Sequence, residues 1–277
     1  GQAVVGATVT LVSVGQGGRR SVISDNNGNY SFTALQPGAY TLEVEASGFN
    51  KAVTTQFSAV VDSVTTMNMR LEVGDVTVSV TVDAGSIESI KNTTDGSLGN
   101  AFVSEQISQL PLEGRNVANL LSLQAAVTPG GAVAGGRSDQ ANITLDGIDV
   151  NIQQDASAFS PVLRVTPDSI EEFRVTTSNP DATRGRSSGA QISLVTKSGS
   201  NDYHGNLFWY HRNDYFNAND WMNNANGIER PKLLRNLFGG SFEGRIIRDR
   251  LFFFYNYEGM REAKSEGVTN LVPLASL

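Results

Sequence analysis

The chain has 277 residues, of which 39 % are hydrophobic and 18 % charged, with 28 glycines and a formal net charge of −7. That length fits one large domain or two smaller ones, and the apolar-to-charged balance is that of an ordered protein. The absence of cysteine excludes a disulfide framework, a thiolate zinc site and a cysteine nucleophile, and the acidic balance offers no basic patch for nucleic acid.

Charge and aromatic content shift along the chain. Residues 201–277 carry nine acidic and nine basic side chains, so the negative excess lies before them. The same stretch holds 14 aromatic residues, both Trp among them. This change sets a domain boundary near Ser200. No apolar run reaches the ~20 residues that a membrane-spanning helix needs. The chain opens at Gly1-Gln2-Ala3, without an initiator Met or signal peptide, as a piece of something longer would.

Residues 1–72 read as short strands separated by turns. Val9 and Leu11 alternate with Thr8 and Thr10; Asp25-Asn26-Asn27-Gly28-Asn29 is a turn, with Tyr30 and Phe32 on one face after it. After a second turn at Pro37-Gly38, Tyr40, Leu42 and Val44 point inward, while Thr41, Glu43 and Glu45 point to water. Met67, Met69 and Leu71 close a set that indicates a β-sandwich. Asp25, Asn27 and Asn29 resemble the start of a calcium loop, but Gly28 is at the fourth place and Gln36 at the twelfth, so turn chemistry accounts for them better.

Residues 73–83 follow as a linker strand. Val76, Val78, Val80 and Val82 share one face, and Thr77, Ser79 and Thr81 the other. Residues 84–200 read as a small mixed α/β domain. Ser104 can cap a short helix that Pro111 ends, and Asn116 can cap a second with Val117, Leu120 and Leu121 on one face. Asp146-Gly147 between Ile143, Leu145 and Ile148 signals a hairpin. Thr166-Pro167 opens a short helix that gives way to a strand over 173–177.

From Tyr203 the pattern is strand, long polar loop near 214–235, strand, turn, strand. Phe238, Gly240, Phe242, Gly244 and Ile246 alternate with Leu237, Gly239, Ser241, Glu243 and Arg245. Beyond Arg248-Asp249-Arg250, Leu251, Phe253, Tyr255 and Tyr257 alternate with Phe252, Phe254, Asn256 and Glu258. Two aromatic-faced strands around a polar turn are the pattern of an outer-membrane barrel hairpin, and a soluble sandwich core can show it too.

Catalytic and metal motifs are poor. Gly185-Arg186-Ser187-Ser188-Gly189 matches G-x-S-x-G, but Ala190 to Val195 alternate like a strand where a nucleophile elbow needs a helix. His204 and His211, seven apart on one strand, face opposite ways and cannot share a metal. Asp146 belongs to its turn; Asp149 and Asp155 read as solvated. Asn92-Thr93-Thr94 and Asn142-Ile143-Thr144 fit a glycosylation pattern that has meaning only on a eukaryotic secretory route. No catalytic, cofactor or metal site is expected.

In this order the motifs resemble the front of a TonB-dependent outer-membrane receptor of the Oar-like group, which carries a carboxypeptidase regulatory-like domain before its plug. Asp25 to Phe32 with Leu35 to Tyr40 is similar to that domain's signature. Gln109 to Asn116 resembles the plug's early helical segment, and Leu145-Asp146-Gly147-Ile148-Asp149 its hairpin. Gly185 to Gly189 through Val195 to Ser200 resembles the last plug strand and the join to the barrel. Arg235 to Gly240 and Leu251 to Phe254 resemble the first barrel strands.

The resemblance implies a mainly β chain with a small α/β part. An Ig/prealbumin-like β-sandwich over 1–72, lacking its first strand, precedes the plug domain over 84–200. The first strands of a transmembrane β-barrel then occupy 201–277. Three strands cannot close a barrel, so a fragment is expected. The implied setting is a Gram-negative outer membrane, with plug and N-terminal domain toward the periplasm. The implied partners are TonB, outer-membrane lipid and an unknown solute (oligosaccharide, siderophore or peptide). Residues 75–83, with Val76, Val78, Val80 and Val82, are the candidate TonB-contacting segment or a plain interdomain strand. Tyr215 and Trp221 face substrate and stack on sugar rings, or anchor the membrane interface. The other classes left open are a β-sandwich surface adhesin or glycan-binding protein and, on Ser187 alone, a serine hydrolase.

Overall fold

The computed structural model describes residues 2–74, 79–82, 98–110, 112, 115–128, 131–152, 161–180 and 189–265. The chain divides into two compact units, Gly1–Tyr203 with Glu243–Phe254, and His204–Phe242 with Tyr255–Leu277.

The N-terminal part of the first unit is built on one twisted sheet. Its strands are β1 (Thr8–Ser13), β2 (Arg19–Ile23), β3 (Gly38–Glu45), β4 (Lys51–Thr54), β5 (Phe57–Ala59) and β6 (Ser79–Val82). The order is β2-β1-β3-β4-β6, with β5 also paired to β3. Alternation fixes the buried face: Val9, Leu11, Tyr40, Leu42 and Val44 are all buried, each nearly complete burial contributing about 1.5–3 kcal/mol. The opposing layer, among the described residues, is irregular chain rather than strand. Tyr30, Phe32 and Leu35 pack on this core, as do Met67, Met69 and Leu71. Tyr30 donates to the Met67 carbonyl at 2.6 Å, which ties the two covers together. The periodicity read at Tyr30–Phe32 and Met67–Leu71 thus marks inward-facing residues but not strands. Asp25 carries out turn chemistry: its Oδ1 accepts from the Asn27 and Asn29 amides, both at 2.8 Å.

The middle part contains β7 (Leu98–Val103), α1 (Ser104–Gln109), β8 (Asn142–Leu145), β9 (Ile148–Asp149), β10 (Ile170–Ser178) and β11 (Gln191–Thr196). Its sheet runs β7-β10-β11-β8-β9. β11 pairs β8 in parallel, and the other pairs are antiparallel. Phe173, Val175, Ile143, Ile192 and Leu194 point into a core closed by Ile107 of α1 and by Val117, Leu120 and Leu121. Ser104 is the first helical residue instead of the cap, because Gln106 Oε1 reaches back to the Val103 amide at 3.3 Å. Asn116 does cap its helix, accepting from the Ala118 amide at 3.2 Å, but the turns tighten into a 3-10 helix over Val117–Leu123. Thr166-Pro167 opens a 3-10 turn that feeds straight into β10. At the β8–β9 turn Asp146 and Gly147 have φ of 50° and 82°, the left-handed pair that a two-residue hairpin demands. Asp146 then clamps Thr196, accepting from its amide and its hydroxyl, each at 2.9 Å.

The remaining strands are β12 (His204–Asn213), β13 (Leu233–Ile247) and β14 (Leu251–Lys264), hydrogen-bonded in that order. β13 and β14 meet at Arg248-Asp249-Arg250, as the alternation requires. The loop between β12 and β13 is not featureless. It holds a 3-10 turn at Asp214–Phe216 and a short helix α2 (Trp221–Ala225), capped by Asp220 Oδ1 on the Met222 amide at 2.8 Å.

Candidate functional site

Three places carry the candidate residues. The first is the edge of the N-terminal sheet. Of the four valines singled out, Val80 and Val82 lie in β6, while Val76 and Val78 lie outside the described residues. β6 is a genuine strand, and it pairs β4 in parallel, Lys51 opposite Ser79 through Thr54 opposite Val82. The sequence contained no sign of this partner, because a parallel pair joins segments that no local turn connects. β6 is the terminal strand of the sheet, so one of its edges is bonded to β4 and the other is open among the described residues. The opposite terminal strand, β2, bears Arg19 and Arg20. Arg19 bonds Glu43 at 2.5 Å, and Arg20 bonds the Thr33 carbonyl at 2.9 Å. Charges of this kind guard an edge against foreign strands. Ser79-Val80-Thr81-Val82 has no such guard.

The second place is where the N-terminal part rests on the middle sheet. The Val61 amide donates to Glu172 Oε2 at 2.9 Å, and Ser193 donates its hydroxyl to Asp62. Asp62 has a φ of 54°, so a non-glycine residue takes the left-handed region to make this contact. Glu172 is only 2 % exposed, and its Oε1 has no hydrogen-bond partner among the described residues. Burial pushes the Glu172 carboxyl above its ordinary range, against the Val61 amide and the Arg174 charge, which pull it down. Neighbouring Glu171 is raised for the same first reason, with Lys197 opposing and Glu243 adding to it. A second contact lies at the join before the barrel strands. Gln16 Nε2 donates to Ser198 Oγ and to the Gly199 carbonyl, both at 3.1 Å, and the Asn201 amide donates to the Gly15 carbonyl at 3.0 Å. Asn201 and Asp249 bond twice, at 2.9 and 3.0 Å. Sequence reading missed this set entirely. The signal available for Glu172 was its adjacency to Glu171 in a strand, since period two sends one of two adjacent residues inward.

The third place is the second unit. Its sheet has one apolar face and one of mixed character, where Phe208 and Tyr210 stand on the same side of β12 as Asn206. Leu207, Trp209, Phe242, Tyr255 and Tyr257 are all more than half exposed, Leu207 at 92 %. A side chain at Gly240 would strike Leu207, and one at Gly259 would strike Phe238, which places these residues on one face. The other face bears Asn206, bonded to Ser241 Oγ at 2.9 Å, and the ion pair of Arg235 with Glu262. His211 bonds Asn236 at 2.8 Å near the loop end, seven positions from His204 at the start of β12. In the loop Tyr215 and Trp221 are both 76 % exposed. Tyr215 stacks edge-on with Phe216, ring centres 5.4 Å apart, and Phe216 is a further exposed aromatic that sequence reading passed over.

The remaining sequence candidates resolve simply. Ser187 and Asp155 lie outside the described residues, and the residues after Gly189 form strand β11, where a nucleophile elbow would continue as helix. Asp149 accepts from the Asn151 amide at 2.9 Å as part of its turn. Asn142 sits inside β8, its amide group bonded to Gln191 at 3.2 Å.

Comparison with known proteins agrees with this layout. Residues 1–72 match the carboxypeptidase regulatory-like domain, and residues 195–277 match the outer membrane beta barrel domain. The chain is 25 % identical over 279 aligned positions to the TonB-dependent transporter Oar of Myxococcus xanthus, an alignment covering 92 % of this chain and 25 % of that protein. The chain therefore spans about a quarter of the length of the curated relative it matches. Two solved structures are similar at low identity. The siderophore receptor PirA of Acinetobacter baumannii gives 18 % identity and a TM-score of 0.43, over 58 % of this chain and 24 % of that one. A mutant of the ferric enterobactin receptor PfeA of Pseudomonas aeruginosa gives 14 % and 0.35, over 60 % and 33 %. The resemblance read from the sequence is borne out, as is the mainly β fold, and the chain belongs to the outer membrane of a Gram-negative bacterium.

Proposed function

We propose that this chain, a relative of the TonB-dependent transporters with a regulatory-like domain and a barrel domain at its two ends, forms the periplasmic entrance of a receptor. That receptor takes up a scarce or bulky solute with energy supplied by TonB. The middle domain is the plug that fills the barrel lumen, and the N-terminal domain faces the periplasm. The observation that carries this reading is the two-faced sheet of β12, β13 and β14. Its aromatic face suits lipid, its face of Asn206, Ser241, Arg235 and Glu262 suits a hydrated lumen, and it directly follows a compact α/β domain. A surface adhesin would instead need that aromatic face covered by protein.

Residues 75–83 are the segment that TonB grips, through main-chain hydrogen bonds to an extended strand. Tyr215, Phe216 and Trp221 project from an ordered loop at the end of the strands remote from the β13–β14 turn and offer flat apolar surfaces to the solute. Sugar rings are one class that stacks on such surfaces. The direct test is a Val78→Pro, Val80→Pro variant of the intact receptor, because proline removes the amide donors a pairing strand needs. TonB binding and uptake should both be lost. Normal binding and normal uptake in that variant would refute the assignment of the segment.

A further inference from the structure

We infer that Val61-Asp62 is a releasable latch, closed on Glu172, that holds the regulatory-like domain against the polar face of the middle sheet. The two faces of that sheet are unlike. Phe173 and Val175 of β10 and Ile192 and Leu194 of β11 point into the apolar core. Period two sends Glu172, Arg174 and Thr176 of β10 to the other side. Register sets Ser193 of β11 opposite Arg174 and Gln191 opposite Thr176. This second face is polar and yet buried: Glu172, Thr176, Gln191 and Ser193 are each at most 9 % exposed. It also holds three buried polar atoms without a hydrogen-bond partner among the described residues, Asn142 Oδ1, Glu172 Oε1 and Arg174 Nε. A buried polar group without a partner costs stability, and permanent interfaces are more apolar than this. A polar face can be uncovered without turning hydrophobic surface to water, which suits a contact between domains that opens and closes.

Two bonds close the latch. The Val61 amide donates to Glu172 Oε2 at 2.9 Å, and the Ser193 hydroxyl donates to Asp62, whose φ is 54°. The charged groups around Glu172 are Arg174 on its own strand, Glu171 beside it and Asp62 on the latch; its register partners, Val103 of β7 and Val195 of β11, are neutral. With the latch closed, one carboxyl oxygen meets an amide and the other meets no donor among the described residues. Burial then favours the neutral carboxyl, against the pull of the Val61 amide and of Arg174. With the latch open, Glu172 returns to water and to its ordinary value of 4.5. Closing the latch is therefore linked to binding a proton. Closure is at full strength below that ordinary value and weakens as pH rises through the raised one, by up to about tenfold per pH unit. The second contact between the domains has no such linkage. Gln16 bonds Ser198 and Gly199, and the Asn201 amide bonds the Gly15 carbonyl, all through neutral groups. The regulatory-like domain thus has one neutral attachment and one that a proton controls.

Amide hydrogen exchange in the intact receptor tests this, because the Val61 amide is itself a latch bond. Exchange at Val61 is followed from about pH 5 to about pH 8, each rate divided by the intrinsic rate at that pH, in wild type and in Glu172→Gln. The glutamine keeps an acceptor for the amide and cannot titrate. The amides of the β10–β11 ladder report on the fold itself. The expected result is a protection of Val61 that falls about tenfold across this range in wild type and stays within about twofold in Glu172→Gln, with β10 and β11 equally protected throughout. Wild-type protection that does not change with pH would overturn the inference. An equal fall in Glu172→Gln would overturn it too, by assigning the titration to another group such as Asp62. So would a loss of protection in β10 and β11 in step with Val61, since the fold and not the latch would then have opened.

Discussion

At the scale of single residues, Glu172 carries a charge where the fold has little room for one. Its burial raises its pKa, so the folded state favours the protonated carboxyl. The sign follows: Glu172 weakens the folded state increasingly as pH rises through its raised pKa, and it costs nothing below its ordinary value of 4.5. Glu172→Gln keeps an acceptor for the Val61 amide and removes the charge. We expect a higher melting temperature than wild type at pH 7–8, with the difference closing below pH 4.5, measured by thermal unfolding across pH. Glycine at 199 is a different constraint. A Cβ there would stand 2.3 Å from the Phe253 carbonyl oxygen and 2.8 Å from that of Gly244, and neither backbone can yield easily. Gly199→Ala should destabilise by about 1–3 kcal/mol in a denaturant titration. In the loop, Tyr215→Ala with Trp221→Ala should lower uptake several-fold without changing the melting temperature, since both side chains are exposed and the helix cap at Asp220 is untouched. The two loop aromatics were legible in the sequence as residues. Glu172 was not, because its partner Val61 lies 111 positions away.

At the scale of elements, the strands that alternate most clearly formed where alternation placed them: β3, β10, β13 and β14. The Asp146-Gly147 hairpin is local chemistry and could be read directly. What the sequence hid was pairing at a distance. The β4–β6 and β8–β11 ladders are both parallel, and a parallel pair is never joined by one local turn that a sequence could show. The short helix after Asn116 was legible as a cap and an apolar face, but its 3-10 winding was not, because both signals are shared by the two kinds of helix. The middle sheet's stability rests on Phe173, which is fully buried between β7 and β11, its ring 5.9 Å from that of Phe102. Phe173→Ala should cost about 3–5 kcal/mol in the middle domain. A protease-sensitivity assay of the intact receptor would show it as accelerated cleavage in the middle domain, with the barrel strands unaffected.

At the scale of the whole molecule, the aromatic alternation of β13 and β14 is the boundary between a chain that buries its apolar residues and one that turns them outward. Before residue 200 the large apolar side chains close two cores; in β12 to β14 Leu207, Trp209, Tyr255 and Tyr257 stay exposed. The three strands β12 to β14 leave backbone edges that lipid cannot satisfy, so a membrane-spanning barrel built on them needs further strands to close. The central claim is that one face of this sheet meets lipid and the other a hydrated lumen. Nitroxide labels placed singly at Leu207→Cys and Asn206→Cys of the intact receptor in lipid vesicles test it, by collision with oxygen, which concentrates in lipid, and with a water-soluble nickel chelate. The account predicts that the label at 207 collides chiefly with oxygen and the label at 206 chiefly with nickel. Equal access to nickel at both positions, or the reverse order, would contradict it.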